Sequence, residues 1–64
     1  MRLKEWVQIE GHGSIARLAR ATGLSRPTVV HAINGGTLRV HTAKLLSRAT
    51  EGVVSVETLL GLTG

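Results

Sequence analysis

Apolar residues recur along the chain at the spacing of a helix, in short segments that each end at or near a glycine. Leu3, Trp6 and Val7 form the first apolar stripe and predict a helix that ends at the sequence GHG, residues 11 to 13. A second helix is predicted between an N-cap at Ser14 and a C-terminal stop at Gly23. Its inward positions are Ile15, Leu18, Ala19 and Thr22.

Three further helices follow from caps and apolar spacing. Ser25 is the predicted cap of the third, with Pro27 in its first turn and the pair Gly35-Gly36 at its end. Thr42 is the predicted cap of the fourth helix, and Ser55 that of the fifth. The inward residues are Val29, Ala32 and Ile33, then Leu45, Leu46 and Ala49, then Val56, Leu59 and Leu60. The pattern predicts an all-α fold of five short helices in one domain over residues 1–64.

Composition supports small packed helices. The chain has 64 residues, of which 42% are hydrophobic, and Trp6 is its only aromatic residue. A core built from Leu, Ile, Val and Ala favours helices over a β-sandwich or barrel. A domain of this length buries only roughly 60% of the surface of its unfolded chain, so we expect modest stability or a stabilising partner. The chain has no cysteine, which excludes disulfides and thiolate metal sites.

Charge is unevenly distributed along the chain. The formal net charge is +4, and no acidic residue occurs between Glu10 and Glu51. The basic residues in that interval are Arg17, Arg20, Arg26, Arg39, Lys44 and Arg48. A positive field of this kind attracts polyanions, chiefly nucleic acid or anionic lipid. A membrane surface is the weaker expectation, because no predicted helix is strongly basic on one face and broadly apolar on the other.

The second and third predicted helices form a helix-turn-helix over residues 15–34. Ala19 is small where the helices must cross, and Gly23 supplies the tight turn. Here the chain resembles the helix-turn-helix regulators of phage and bacteria, in particular the small Cro and repressor proteins and the YdaS-like group. The resemblance runs from about Ile15 to Leu60 and includes the strings AINGG and LLSRATEGVVSVETLL. It implies a lambda-repressor-like fold and a sequence-specific, DNA-binding transcriptional regulator.

The resemblance also implies which residues contact double-stranded DNA. In the third helix, the base-reading positions would be Arg26, Pro27, Thr28, Val30 and His31. An arginine side chain suits guanine O6 and N7, and an apolar side chain suits the thymine methyl group. Contacts to phosphate would come from Ser14, Ile15, Arg17, Ser25, Asn34, Thr37, Arg39 and Lys44.

Several of these positions have a structural alternative. Val30 belongs either to the DNA-contacting face or to the core, and Asn34 is either a DNA contact or a helix C-cap. Arg20 either contacts phosphate or pairs with Glu10 or Glu51. The chain departs from the family pattern at Thr22, which is more often apolar, and at Pro27 and Val30, where relatives often carry polar residues.

The last predicted helix carries more apolar residues than it can bury beneath itself. We expect residues 53–62 to contribute to a homodimer, with contacts from Val54, Val56, Leu60 and Leu62. The alternative is that these residues close the monomer core over Leu3 and Trp6. A second function class, an antitoxin or adaptor that acts mainly through a protein partner, would use the same residues.

Other chemistry finds little support in the sequence. His12, His31 and His41 match no compact zinc-ligand spacing, so no metal is expected. Paired carboxylates, a nucleophile motif and a phosphate-binding glycine loop are missing from the sequence, so we expect no enzyme, cofactor or small-molecule effector. Lys4 and Glu5 interrupt any early apolar run, so neither a signal peptide nor membrane association is expected, and the predicted location is cytoplasmic.

Overall fold

Five helices make up the regular structure of residues 1–62, the part of the chain that the computed structural model describes. They are α1 (Leu3–Glu10), α2 (Ser14–Thr22), α3 (Arg26–Ile33), α4 (Val40–Ala49) and α5 (Val56–Leu59). The predicted all-α architecture of five short helices is therefore confirmed. No helix within residues 1–62 has the length and hydropathy needed to cross a membrane.

A single aliphatic core joins the helices. α2 packs against both α3 and α4, α1 packs against α2 and α3, and α5 packs against α4. The buried members of the core cluster are Leu3, Leu18, Val29, Ala32, Leu46 and Val54. The half-buried indole of Trp6 packs against this cluster. Every helix from α1 to α4 thus contributes at least one buried side chain, and the loop before α5 contributes Val54.

Serine caps fix the starts of α3 and α5. In α3 the Thr28 N–H donates to Ser25 Oγ at 3.4 Å, and in α5 the Thr58 N–H donates to Ser55 Oγ at 3.2 Å. In both helices the serine and threonine hydroxyls also bond to each other, at 2.7 Å and 2.8 Å. The predicted caps at Ser25 and Ser55 are confirmed, and Pro27 lies in the first turn of α3 as expected.

The predicted caps of α2 and α4 are wrong. Ser14 is the first residue of α2 rather than its cap, and Gly13, in the left-handed conformation, takes the N-cap position. The hydroxyl of Ser14 turns inward instead and donates to the carbonyl oxygen of Val7 at 3.4 Å. α4 begins at Val40, with Arg39 as its N-cap and without a side-chain cap, so Thr42 lies within its first turn.

Two threonine hydroxyls stabilise the turns that follow α2 and α4. Thr22 Oγ1 donates to the Leu18 carbonyl at 2.6 Å and accepts the Leu24 N–H at 3.2 Å. Thr50 Oγ1 donates to the Ser47 carbonyl at 3.0 Å and accepts the buried N–H of Val54 at 3.2 Å. Thr22 therefore satisfies the N–H of Leu24, which a hydrocarbon side chain at this position would leave without that acceptor.

Candidate functional site

The short connection between α2 and α3 determines which side of α3 is exposed. Gly23 closes α2 in the left-handed conformation, with φ 74°, which favours glycine. Its N–H donates to the Ala19 carbonyl at 2.9 Å, and the half-buried side chain of Leu24 packs against the core. Ser25 then caps α3 and directs Val29 and Ala32 into the core, where both are buried. The opposite side of α3 is left to solvent.

This outward surface of α3, here called the α3 face, consists of Arg26, Pro27, Val30, His31 and Asn34, which are all exposed. Val30 is 37% exposed and lies outside the core cluster, so its alternative assignment to the core is wrong. Four of the five predicted base-reading residues lie on this face. The fifth, Thr28, is half-buried, and its hydroxyl bonds to Ser25 Oγ.

The predicted phosphate-contacting residues fall into two groups. Most of them are exposed, namely Arg17, Ser25, Asn34, Thr37, Arg39 and Lys44. Ser14 is only 1% exposed, because its hydroxyl bonds to the Val7 carbonyl, so its predicted phosphate contact is corrected. The Ile15 side chain is half-buried against the core, which leaves only its main-chain N–H, in the first turn of α2, for such a contact.

The C-cap interpretation of Asn34 is confirmed, and its contact with DNA stays a prediction. This residue is the C-cap of α3, and its side chain is exposed at the end of the α3 face. Beyond it, α3 ends in a Schellman motif, in which the Gly36 N–H donates to the His31 carbonyl at 2.9 Å and the Gly35 N–H to the Ala32 carbonyl at 3.1 Å. The chain then turns towards Thr37 and Arg39, so the loop of residues 34–39 begins at the α3 face.

One ion pair involves a predicted phosphate contact. The guanidinium Nη2 of Arg17 lies 3.2 Å from Oε1 of Glu10, and the two side chains are 61% and 37% exposed. The predicted alternative that Arg20 pairs with Glu10 or Glu51 is wrong, since within residues 1–62 Arg20 forms an ion pair with neither carboxylate and Glu10 pairs with Arg17. A pair this exposed is weak and is screened by salt, so a phosphate group can compete with Glu10 for Arg17.

Carboxylates lie away from the α3 face in the chain. Glu5 and Glu10 are on α1, Glu51 follows α4, and Glu57 is on α5. The segment from α2 to the end of α4 carries only cationic or neutral side chains. The α3 face and the loop after it therefore lack a carboxylate of their own that would repel a polyanion.

The apolar residues near the C-terminus have different exposures. Val54 is 0% exposed within the core, so its predicted dimer contact is corrected, and this residue closes the monomer instead. Val56 and Leu60 are half-buried, whereas Leu62 is 72% exposed. Val53, the first residue of the predicted interface segment 53–62, is 49% exposed. The apolar surface open to a second chain is thus smaller than predicted and centres on Leu62 and Val53.

Two open grooves lie beside these surfaces. One, of about 590 Å³, runs between the start of α1, the turn after α3 and the end of α5, with Arg2 and Lys4 among its lining residues. The other, of about 410 Å³, lies between α1, α2 and the turn after α4, and includes Trp6 and Val53. Histidine and carboxylate side chains in residues 1–62 form no group of three that could hold a metal ion.

Comparisons of the chain with protein-family models, curated proteins and solved structures found no match. The function is therefore inferred from the exposure, charge and hydrogen bonding of the residues on and around the α3 face.

Proposed function

We propose that this chain is a sequence-specific DNA-binding protein with a lambda-repressor-like helix-turn-helix, in which α2 supports α3 and α3 enters the major groove. The observation that carries the proposal is the α3 face. It combines a guanidinium, an imidazole, an amide and an exposed valine on one side of a helix that is buried on its other side. Occupation of an operator by such a protein would regulate transcription without an effector domain.

The side chains of the α3 face suit base edges in the major groove. Arg26, at the first position of α3, can pair with guanine O6 and N7 through two parallel hydrogen bonds. Val30, one helical turn further along, can contact a thymine methyl group. Thr28 is already hydrogen-bonded to Ser25, so the proposal gives it a supporting part and rests base discrimination chiefly on Arg26 and Val30.

Phosphate contacts would flank this base-reading surface. Arg39 and Lys44 follow the loop after α3, and both are exposed. Arg17 lies on α2 and becomes available when phosphate replaces Glu10 as its partner. Such contacts supply affinity and register rather than sequence choice, and they make binding fall as salt rises.

A second copy of the chain would complete the DNA-binding unit. Leu62 and Val53 are exposed, and Val56 and Leu60 are half-buried, so these residues could form an apolar contact between two subunits. Two-fold symmetry would place two α3 helices about 34 Å apart, one turn of DNA. The proposed target is therefore a palindromic operator.

Selection from a pool of random duplex DNA, followed by sequencing, tests the proposed function. The wild type should enrich a palindromic consensus, and Arg26→Ala should lose about 1 to 3 kcal/mol of discrimination at one base pair in each half-site. Arg48→Ala is the matched control, because Arg48 is an exposed arginine on α4 outside the α3 face. It should keep the consensus.

The proposal fails if no sequence is enriched and the remaining weak binding disappears as salt rises. That result would mean that the basic surface binds phosphate without reading bases. The antitoxin or adaptor function, with a protein as the main partner, would then become the better explanation.

A further inference from the structure

His31 makes a contact that its predicted place among the base readers does not require. Its Nε2 atom lies 3.2 Å from the carbonyl oxygen of Thr37, six residues along the chain. The ring lies over Gly36, where an added Cβ would overlap Nε2 and Cε1 of the imidazole. Position 36 therefore admits the ring because it has no side chain.

The partner of Nε2 determines where the ring carries its proton. A carbonyl oxygen only accepts hydrogen bonds, so Nε2 must be the donor in this contact. The neutral ring is then the Nε2–H tautomer, and the doubly protonated ring keeps the same bond, since both of its nitrogens carry a proton. Nε2 is thus occupied within the protein, and only Nδ1 and the ring edge remain to face a ligand.

We propose that His31 is a positioning residue that fixes the loop of residues 34–39 against α3, with Gly36 as the site that accepts its ring. The hydrogen bond holds Thr37, and through it Arg39 two residues further along the chain, at a set position relative to the α3 face. This inference rests on the proposed function in so far as that loop contacts DNA phosphates. It replaces direct base reading as the main contribution of His31.

The two assignments of His31 predict different binding defects. Loss of a base reader relaxes specificity at one base pair. Loss of a loop anchor instead weakens binding equally on every sequence, and it lowers by about one the slope of the logarithm of the binding constant against the logarithm of the salt concentration. Removal of a single hydrogen bond of this kind should weaken binding about three- to tenfold.

Two pairs of variants isolate the hydrogen bond. In His31→Gln the side-chain amide can occupy the place of Nε2 and donate to the Thr37 carbonyl, whereas in His31→Asn it occupies the place of Nδ1 and falls short. Gly36→Ala keeps the histidine but displaces its ring, and the backbone of Gly36 lies outside the left-handed region, so alanine fits its conformation. His31→Asn combined with Gly36→Ala completes a double-mutant cycle.

The first measurement uses the free protein. Nitrogen-15 NMR of the His31 ring should show the proton on Nε2 in the neutral form, and the backbone order parameters of residues 37–39 should fall in Gly36→Ala and His31→Asn but not in His31→Gln. An Nδ1–H ring, or unchanged order parameters in Gly36→Ala and His31→Asn, would overturn the inference. This readout is independent of DNA, so it tests the anchor even if the proposed function fails.

The second measurement is affinity for the selected duplex and for its single-base variants. Gly36→Ala, His31→Asn and the double variant should each lose the same factor, uniformly across sequences, and His31→Gln should bind like the wild type. Additive losses in the double variant, or relaxed preference at one base pair in His31→Asn, would overturn the inference and return His31 to base reading. Thermal unfolding of each variant checks that the fold is retained.

Discussion

Glu51 occupies a backbone conformation that glycine normally takes. α4 ends in a Schellman motif, in which the Gly52 N–H donates to the Ser47 carbonyl at 2.8 Å and the Glu51 N–H donates to the Arg48 carbonyl at 3.0 Å. The left-handed position of this motif falls on Glu51, with φ 57°, which makes it the only non-glycine residue with positive φ in residues 1–62. At the end of α3 the same position is held by Gly35.

Glu51→Gly should therefore stabilise the protein. A left-handed conformation costs a residue with a side chain roughly 1 to 2 kcal/mol, and glycine gives back part of this through its freedom in the unfolded chain. We expect a net gain of about 0.5 to 1 kcal/mol in the free energy of unfolding, measured by urea denaturation. Glu5→Gly, in the first turn of α1, removes the same charge and should cost about 1 kcal/mol. Equal effects of the two variants would contradict this explanation.

The ion pair between Arg17 and Glu10 gives a second prediction for a single residue. Glu10→Gln should leave stability within about 0.5 kcal/mol, because the pair is exposed. It should strengthen binding to duplex DNA about two- to threefold at low salt, since Arg17 no longer exchanges a carboxylate for a phosphate. Glu57→Gln makes the same change in net charge on α5 and should have a smaller effect. If both variants bind DNA equally, Arg17 makes no specific contact with a DNA phosphate.

Individual helices show how far the sequence predicts this fold. The glycine breaks, the apolar spacing and the serine caps predict the number, the order and most boundaries of the helices. The errors occur where tertiary packing overrides local preference, as at Ser14, whose hydroxyl bonds inward to Val7 instead of capping α2. Burial of Val54 agrees with the alternative considered for residues 53–62, and helical spacing does not decide in its favour, because Val54 fills the core from outside a helix.

The candidate site is partly predictable from the sequence. Exposure of Arg26, Val30 and His31 follows from the inward positions of Val29 and Ala32 on the same helix. The contact between His31, Gly36 and Thr37 does not follow from any local pattern, since it depends on the path of the loop after α3. The pair Gly35-Gly36 is the only local sign of this contact. One glycine is enough to end the helix, and the sequence does not show that the second makes room for the His31 ring.

The cap of α3 allows stability and binding to be separated. Ser25→Ala should cost about 1 kcal/mol of stability, because the Thr28 N–H loses its acceptor. Ser25→Asp retains a capping oxygen and should keep wild-type stability, yet it places a carboxylate beside the expected phosphates and should weaken DNA binding severalfold. Unfolding midpoints and binding isotherms check both outcomes. If Ser25→Asp binds DNA as well as the wild type, the start of α3 does not approach the backbone of DNA.

At the scale of the whole molecule, a stretch without acidic residues lies between two segments that carry carboxylates. The chain from Gly11 to Thr50 carries no carboxylate, whereas α1, the turn after α4 and α5 each carry at least one. The exposed apolar residues Val53 and Leu62 lie in or after the second of these carboxylate-bearing segments. In the folded chain, however, Asn34 and Thr37 line the same groove as Leu60, so the surface proposed for DNA adjoins the surface proposed for a second copy.

Leu62→Lys tests the surface proposed for the second copy. Because Leu62 is 72% exposed, a charge there should leave the stability of the monomer nearly unchanged while it weakens self-association and operator binding together. Ile9→Lys is the matched control, since Ile9 is 67% exposed on α1, outside the proposed contact. Sedimentation equilibrium distinguishes them. An unchanged mass distribution for Leu62→Lys, or an equal loss for Ile9→Lys, would place the contact elsewhere.

The central claim, that the α3 face binds DNA, is tested most directly by NMR. Duplex DNA of mixed sequence is titrated at low salt into nitrogen-15-labelled protein, and the amide shifts are followed residue by residue. The proposal predicts the largest changes at residues 25–31 and 37–39, with a second, smaller group near Arg17. Changes concentrated on α1 and α5, with the α3 face unperturbed, would contradict it.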